Sequence, residues 1–326
     1  MVAVKRASNP NSGRLESPPH GASLARSAEQ QTPKVSVIIV NYNSGDCLRR
    51  CVASVLAHRG DVEIVIWDNA SNDDSLILQK DVLDRIRLSR SERNLGFARA
   101  VNAAIRECSG EYVAILNPDA EARSDFISPL LDFLEQHGKN AIVGGAVINP
   151  DGTLERACMR TIPTPWSAFL RLSGISLLSP NSRRLSLYNL PQCKADKPQE
   201  VGAVSGSFCM FKRQVGERVG FDEGFFLFGE DIDFCLRAKD VGCPVWFVPS
   251  ASVVHLKGVS MRRRPLASVF HFYNSMLRFH KKHYGAGHSF VFNIMVFIGV
   301  WALALPKIVG RLVVFPAHWI AKSLEG

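Results

Sequence analysis

Six residues, Val35-Ser-Val-Ile-Ile-Val40, constrain the fold more than any other stretch of this chain. A β-branched run with almost no polar alternation leaves no face for water, so it predicts a strand buried on both sides, the kind that parallel sheets contain. Asn41-Tyr42-Asn43-Ser44-Gly45-Asp46 then breaks the run. Leu48, Val52, Val55 and Leu56 follow at helical spacing behind an Asp46 cap, and Val62 to Trp67 returns as a second buried strand, which completes a βαβ unit. The alternation continues with a helix near Leu76 to Asp84, a strand at Ile86 to Leu88, a helix at Phe97 to Cys108 and a strand at Tyr112 to Leu116. A helix near Phe126 to Gln136 and a strand at Ile142 to Val147 follow. The expected fold is a doubly wound, mostly parallel α/β sheet with right-handed crossovers.

Composition divides the chain around this domain. Residues 1–33 are rich in Ser, Pro, Asn, Gln and Ala without an apolar run, which predicts a disordered tail lacking the hydrophobic region of a signal peptide. The sheet domain is placed at 34–260, with 160–200 read as a loop-rich insertion or flap because of its many Pro, Ser and Arg residues. Order resumes at Val201 to Lys212, then at Phe221 to Phe228, a helix from about Asp231 to Val241, and apolar stretches at Val245 to Val248 and Ser252 to Val254. The net charge is +9, from 39 basic and 30 acidic residues; ten of the basic ones and one acid lie from His255 onward, which leaves 29 of each before it. A nucleic-acid enzyme would carry its excess around the working groove, so nucleic acid is excluded as a partner. The eight cysteines form no CxxC pair and no cluster with histidine, which argues against a zinc site and a disulfide framework and for a reducing cytosol.

The basic segment, 261–326, is also apolar. Phe290 to Leu305 is broken only by Asn293 and stops at Pro306-Lys307; a second run, Ile308 to Ile320, contains Arg311 and His318. A span needs about 20 residues, so three readings stay open: an interfacial or re-entrant hairpin, one tilted span that tolerates Pro306, or a helix pair packed on the domain or a partner copy. Arg262-Arg263-Arg264 and Lys281-Lys282 precede the apolar run, the placement expected of groups facing the anionic cytoplasmic surface of a membrane or a lipid-linked pyrophosphate.

Ligands of open α/β sheets bind beyond the carboxyl ends of the strands. There stand Asn41-Tyr42-Asn43, Asp68-Asn69-Ala70-Ser71 and Asn117-Pro118-Asp119. Each alone is ordinary turn chemistry; three on one sheet edge point to a site. No GxGxxG or GxxxxGK[ST] follows the first strand, so phosphates must be held otherwise, and a carboxylate-bound Mg²⁺ or Mn²⁺ with Asp119 as ligand is the expected substitute. Glu230-Asp231-Ile232-Asp233 stands at a helix start behind Phe225, Phe226, Leu227 and Phe228. An apolar wall raises a carboxylate's pKa toward that of a general base. His255 ends an apolar stretch, where a lone histidine is more often structural than a ligand.

Taken in order, Val35-Ser-Val-Ile-Ile-Val-Asn-Tyr-Asn-Ser44, Trp67-Asp-Asn-Ala-Ser-Asn-Asp73, Arg93-Asn-Leu-Gly-Phe97, Leu116-Asn-Pro-Asp119, Gly206 in Val-Ser-Gly-Ser, Phe221-Asp-Glu-Gly-Phe-Phe226, Glu230-Asp-Ile-Asp233 and Val254-His255 resemble glycosyltransferase family 2. Within it they are most similar to the rhamnosyltransferase-like branch. The resemblance implies a GT-A fold and inverting transfer of a sugar from a nucleoside-diphosphate donor to an acceptor hydroxyl. It implies that Asn41, Tyr42, Asn43 and Asp68 contact the donor's base and ribose, that Asn94 and Gly96 line the nucleotide side, and that Asn117 and Asp119 occupy the DxD position, with Asn117 replacing its first carboxylate. It further implies that Asp119 and His255 hold the metal, that Asp231 is the catalytic base, and that Gly206 and Glu230 face the acceptor. Rhamnose from its thymidine-diphosphate donor is the first expectation, with galactofuranose or another hexose from a uridine-diphosphate donor as the alternative. A glycan acceptor on a polyprenyl diphosphate at the cytoplasmic membrane face fits the tail. A non-catalytic glycan-binding scaffold and a nucleotidyltransferase are the rival classes.

Overall fold

The structure is a computed structural model that describes residues 33–324 apart from 59, 124, 139, 174, 176–195 and 257–264. Residues 1–32 of the tail expected over 1–33, most of the expected flap, and Arg262 to Arg264 lie outside the described residues. Strands β1 (Val35–Asn41), β2 (Val62–Asp68), β3 (Ile86–Arg90) and β4 (Tyr112–Leu116) are parallel, in the spatial order β3-β2-β1-β4. Every residue of β1 is buried, as the run of β-branched side chains requires. Burying Val37, Ile38 and Ile39, each 0% exposed, contributes about 1.5–3 kcal/mol apiece. Helices α1 (Asp46–Leu56) and α3 (Phe97–Glu107) provide crossovers, with Leu48, Val52 and Val55 of the first and Val101, Ala104 and Ile105 of the second in the core. Between β2 and β3 the expected helix is reduced to a 3₁₀ turn, Asp74–Leu76, and a four-residue α2 (Lys80–Leu83). Asp46 is the first helical residue of α1 and not its cap; Gly45, at φ 57°, stands in the cap position.

Beyond β4 the sheet departs from simple parallel winding. The short β5 (Ala120–Ala122), α4 (Ser128–His137) and β6 (Ile142–Ile148) come next, followed by β7 (Met159–Arg160) and α5 (Pro165–Leu172). Then come β8 (Gln199–Glu200), β9 (Ala203–Val204) and β10 (Phe208–Lys212). Strand β10 inserts antiparallel between β4 and β6. Helices α6 (Arg213–Val219) and α7 (Glu230–Asp240) lead to β11 (Val245–His255), which lies parallel to β6. The two apolar stretches expected at 245–248 and 252–254 are therefore one strand, interrupted at Pro249-Ser250-Ala251, where the register shifts as a bulge permits. Its end pairs with β5, setting His255 opposite Ala120. Because β10 runs the other way, it starts at the edge where β1, β2 and β4 end, and Phe208 pairs with Leu116.

The C-terminal segment forms α8 (Pro265–His283) and α9 (Phe290–Leu324), packed on each other through Val269, Tyr273, Val300 and Ala304. Helix α9 continues through Pro306, so both apolar runs belong to one element. By length and composition its segment Phe290–Leu312, 23 residues, is the one helix among those described that is able to cross a membrane. At 1.5 Å per residue it spans about 34 Å, against a hydrocarbon core of about 30 Å. The charges at the end of α8 turn toward the sheet domain: Arg278 and Lys282 bind Asp222 at 2.8 and 2.7 Å, and Lys282 also reaches Asp233 at 2.6 Å. Burial raises the Asp222 carboxyl, but Lys282, the Gly224 N–H and Arg278 outweigh it and hold the group well below the usual carboxylate range.

That depressed value means the Asp222 contribution is present above the ordinary carboxylate pKa and is lost as pH falls toward the folded-state value. Asp222→Asn should loosen α8 by about 1 kcal/mol, a modest figure because the partners are partly exposed. Limited proteolysis between α8 and α9, compared at pH 7, reads the effect; protection equal to the parent's would show that apolar packing alone holds the hairpin.

Candidate active site

The ends of β1, β4 and β11 and the start of β10 converge on a cavity of about 1030 Å³. Tyr42, Asn94, Gly96 and Asn117 line it, as do Asp119, Gly206, Glu230, Asp231 and His255. Asn41, Asn43 and Asp68 do not line it. Asn41 and Asp68 are adjacent in register and fully buried, and the Asn41 amide donates to Asp68 Oδ1 at 2.8 Å and to Ser75 Oγ at 2.9 Å. Asp68 Oδ2 accepts the Ser71 N–H at 3.0 Å and meets Arg90 at 3.1 Å. Asn43 Oδ1 accepts the Asn72 N–H at 2.8 Å. These three side chains tie the loops after β1 and β2 together, and it is their neighbours Tyr42 and Asn69 that face the cavity.

Asn94 and Gly96 form the next wall. The Gly96 N–H donates to Asn94 Oδ1 at 2.9 Å, and Asn69 donates to the Gly96 carbonyl at 3.1 Å. Gly96 has φ +83°, and a Cβ there would lie 2.6 Å from the Phe226 carbonyl oxygen. Only glycine lets the 225–229 loop approach so closely. That loop ends with Phe228 at φ 70° and Gly229 at φ 81°, a left-handed pair that turns the chain into α7.

At the end of β11, His255 lies between two carboxylates. Its Nε2 is 3.0 Å from Asp119 Oδ1 and its Nδ1 is 3.0 Å from Glu155 Oε2. Burial lowers the imidazole pKa, but the hydrogen bonds and charges of Asp119 and Glu155 prevail and raise it to about 9. Asp119 and His255 are joined by a hydrogen bond, and a carboxylate and an imidazole side by side at a strand end are donors that a divalent cation could take in place of the shared proton. Among the described residues no cluster of three or more His, Cys, Asp or Glu side chains is arranged to hold a metal. Two protein ligands, with the rest from phosphate oxygens and water, is the usual provision for Mg²⁺ and its analogues. Glu155 escaped the sequence reading because it stands alone after Pro150, 100 residues from His255, and only the fold makes them neighbours.

At the start of α7 Asp231 is held by partners while its neighbour Glu230 is not. Asp231 Oδ2 accepts Arg160 Nη2 at 2.6 Å and the Gly206 N–H at 3.0 Å, and Oδ1 accepts the Ile232 N–H at 2.8 Å. A Cβ on Gly206 would stand 3.4 Å from Asp231 Cβ, an ordinary contact, so this glycine serves the site through its N–H. Arg160, also bonded to the Val204 carbonyl at 2.7 Å, was likewise missed; as an isolated arginine in the expected flap it carried no signal. Glu230 is 7% exposed, and its Oε2 has no hydrogen-bond partner. Burial, then the Asp231 charge, push its carboxyl well above the usual range. An acid raised on folding makes the protein lose stability as pH climbs from the ordinary carboxylate pKa to the raised one. Glu230→Gln should flatten the melting temperature between about pH 5 and 8. A slope identical to the parent's would mean Glu230 is ionised in the folded protein.

Three kinds of comparison place this arrangement among known proteins. Residues 36–220 match the family model described as glycosyl transferase family 2. The chain is 30% identical over 249 residues to N-acetylglucosaminyl-diphospho-decaprenol L-rhamnosyltransferase of Mycobacterium tuberculosis, covering 72% of this chain and 80% of that protein. It is 24% identical to rhamnosyltransferase WbbL of Escherichia coli, covering 68% and 83%. Among solved structures, GalNAc-T7 with UDP, GalNAc and Mn²⁺ aligns with a TM-score of 0.51 at 21% identity over 70% of this chain and 45% of that one. Staphylococcus aureus TarS 1-349 in complex with UDP aligns with a TM-score of 0.51 at 16% identity over 75% and 63%. With a GT-A sheet whose strand ends carry these motifs and rhamnosyltransferases among its relatives, the chain belongs to glycosyl transferase family 2.

Proposed function

We propose that the protein is an inverting, divalent-metal-dependent glycosyltransferase that moves rhamnose from a thymidine-diphosphate donor to a sugar hydroxyl on a polyprenyl diphosphate at the cytoplasmic membrane face. The observation that carries the reading is that a pinned carboxylate, Asp231, and a cation-suited pair, Asp119 and His255, line one cavity. The rhamnosyltransferase relatives support the sugar, the decaprenol-linked substrate named for the Mycobacterium protein supports the acceptor class, and the long apolar α9 supports the membrane.

Asp119 and His255 would hold Mg²⁺ or Mn²⁺, which neutralises charge on a leaving diphosphate. Glu155, accepting from His255 Nδ1–H, would leave Nε2 as the nitrogen facing the ion once a bound cation displaces the proton that Nε2 shares with Asp119, the carboxylate–histidine arrangement that orients metal-binding imidazoles. Tyr42, Asn69 and Asn94 line the nucleotide end, held in place by Asn41, Asn43 and Asp68. Arg160 and the Gly206 N–H fix the Asp231 carboxylate in orientation. Asp231 accepts the acceptor's hydroxyl proton as that oxygen bonds to the anomeric carbon; the bond from this carbon to the diphosphate breaks with its electron pair, and the centre inverts. Glu230, kept neutral by burial, offers an O–H donor to a sugar hydroxyl beside Asp231.

Asp231→Asn should lower transfer by about 10²–10⁴-fold while donor affinity, measured by calorimetry, stays as in the parent. Near-normal turnover would remove Asp231 from the reaction, and release of pyrophosphate in place of nucleoside diphosphate would indicate a nucleotidyltransferase. Glu155→Ala should weaken Mn²⁺ binding about 10–100-fold, read by electron paramagnetic resonance of the free ion; unchanged affinity would reduce Glu155 to a structural ion-pair partner.

A further inference from the structure

The cavity does not end at the reacting groups. The helices α8 and α9 line it as well, through Phe272, Met276, Val296 and Val300 with His271, Ser275 and His280 interspersed, and the exposed Trp166 and Phe169 of α5 add to a mostly apolar wall. The last two are 61% and 48% exposed, with rings stacked 5.7 Å apart. A nucleoside-diphosphate sugar is polyanionic and a glycan is covered with hydroxyls, and neither gains from such walls. Ordinary ligand cavities measure roughly 300–1,000 Å³, and this one, at about 1030 Å³, lies just above that range.

We propose that the corridor between α5, α8 and α9 binds the isoprenoid chain of the acceptor, so that the membrane-length helix is a wall of the acceptor site as well as an anchor. The proposal rests on the lipid-linked acceptor argued above and adds where the lipid is held. Its occupant follows from continuity: one face of α9 lines the cavity that contains Asp231, while Phe290, Ile298 and Leu305 of the same helix are exposed. A chain lying along α9 in the bilayer can enter the corridor without crossing water, and its diphosphate then emerges where the lining turns polar. Burial of apolar surface supplies the affinity. The ion pairs from Arg278 and Lys282 to Asp222 keep α8, and with it the corridor, fixed to the catalytic domain.

The geometry offers a direct test. Gly299 lines the corridor, and a Cβ built on it meets nothing within 4 Å, so a larger side chain starts from open space on the corridor side. Full-length protein in detergent is assayed with one sugar diphosphate carried either on a long polyprenyl chain or on a two-isoprene chain. The parent should prefer the long chain in kcat/KM by roughly tenfold or more, mainly through KM. Gly299→Phe should bring the ratio near one, whereas Ile298→Phe, on the exposed face, should leave it as in the parent. The ratio cancels any loss of folded protein, since both acceptors meet the same sample. Equal use of both chains by the parent, or a ratio untouched by Gly299→Phe, overturns the corridor while leaving a lipid-linked acceptor standing. Failure of transfer to either lipid, with transfer to a lipid-free glycan, overturns the acceptor reading itself and the corridor with it. A preference that disappears only in samples where light scattering shows dimers assigns the apolar face to a second copy and likewise overturns the proposal.

Discussion

Three acids within four residues at the start of α7 must be accommodated in a nearly dry environment, and the molecule is arranged around that constraint. Asp233 is 0% exposed and meets Arg237 at 2.7 Å, Lys282 at 2.6 Å and His283 at 2.8 Å. Asp231 is held by Arg160 and a backbone N–H, and Glu230 is relieved of its charge by burial. A buried charged carboxylate without such compensation costs several kcal/mol, so Asp231 and Asp233 call for partners from distant parts of the chain, whereas Glu230 stays neutral. Arg160 comes from the segment after β6, and Lys282 and His283 come from the C-terminal hairpin. The same contacts that make the acids tolerable thus bring the segment of Arg160 and the tail up to Asp231 and Asp233.

Charge therefore has two roles in the tail. Ten of the chain's cationic side chains lie from His255 onward, an excess that reads as a membrane signal. The structure assigns Arg278 and Lys282 to carboxylates of the catalytic domain, so part of the excess fastens the apolar helices where they can shape the cavity. Apolar length and internal ion pairing together, more than net charge, connect α9 to the site.

What was legible in the sequence follows from how local the cause was. The β-branched runs at 35–40 and 62–67 could become only buried strands, and the polar residues that end them were placed at the site edge by the rule for open sheets. Asp119, Asp231 and His255 were legible as candidates because they sit in ordered tags at strand ends and a helix start, and the structure lines one cavity with them. Glu155 and Arg160 were not, because nothing within their own segment distinguishes them. The shift of Asn41 and Asp68 from expected donor contacts to buried loop ties has the same origin: their pairing depends on β1 and β2 being in register.

The sequence by itself determined the alternating α/β architecture, the sheet edge that carries the site and the apolar length of the tail, since each depends on hydrophobic pattern and backbone chemistry within a few turns of chain. Only the tertiary structure decided that β10 would run antiparallel and deliver Gly206 to Asp231, that Glu155 and Arg160 would meet His255 and Asp231, and that α8 and α9 would wall the cavity. Those outcomes rest on pairings between residues tens to more than a hundred positions apart, and their energies exist only once the sheet has brought the partners together.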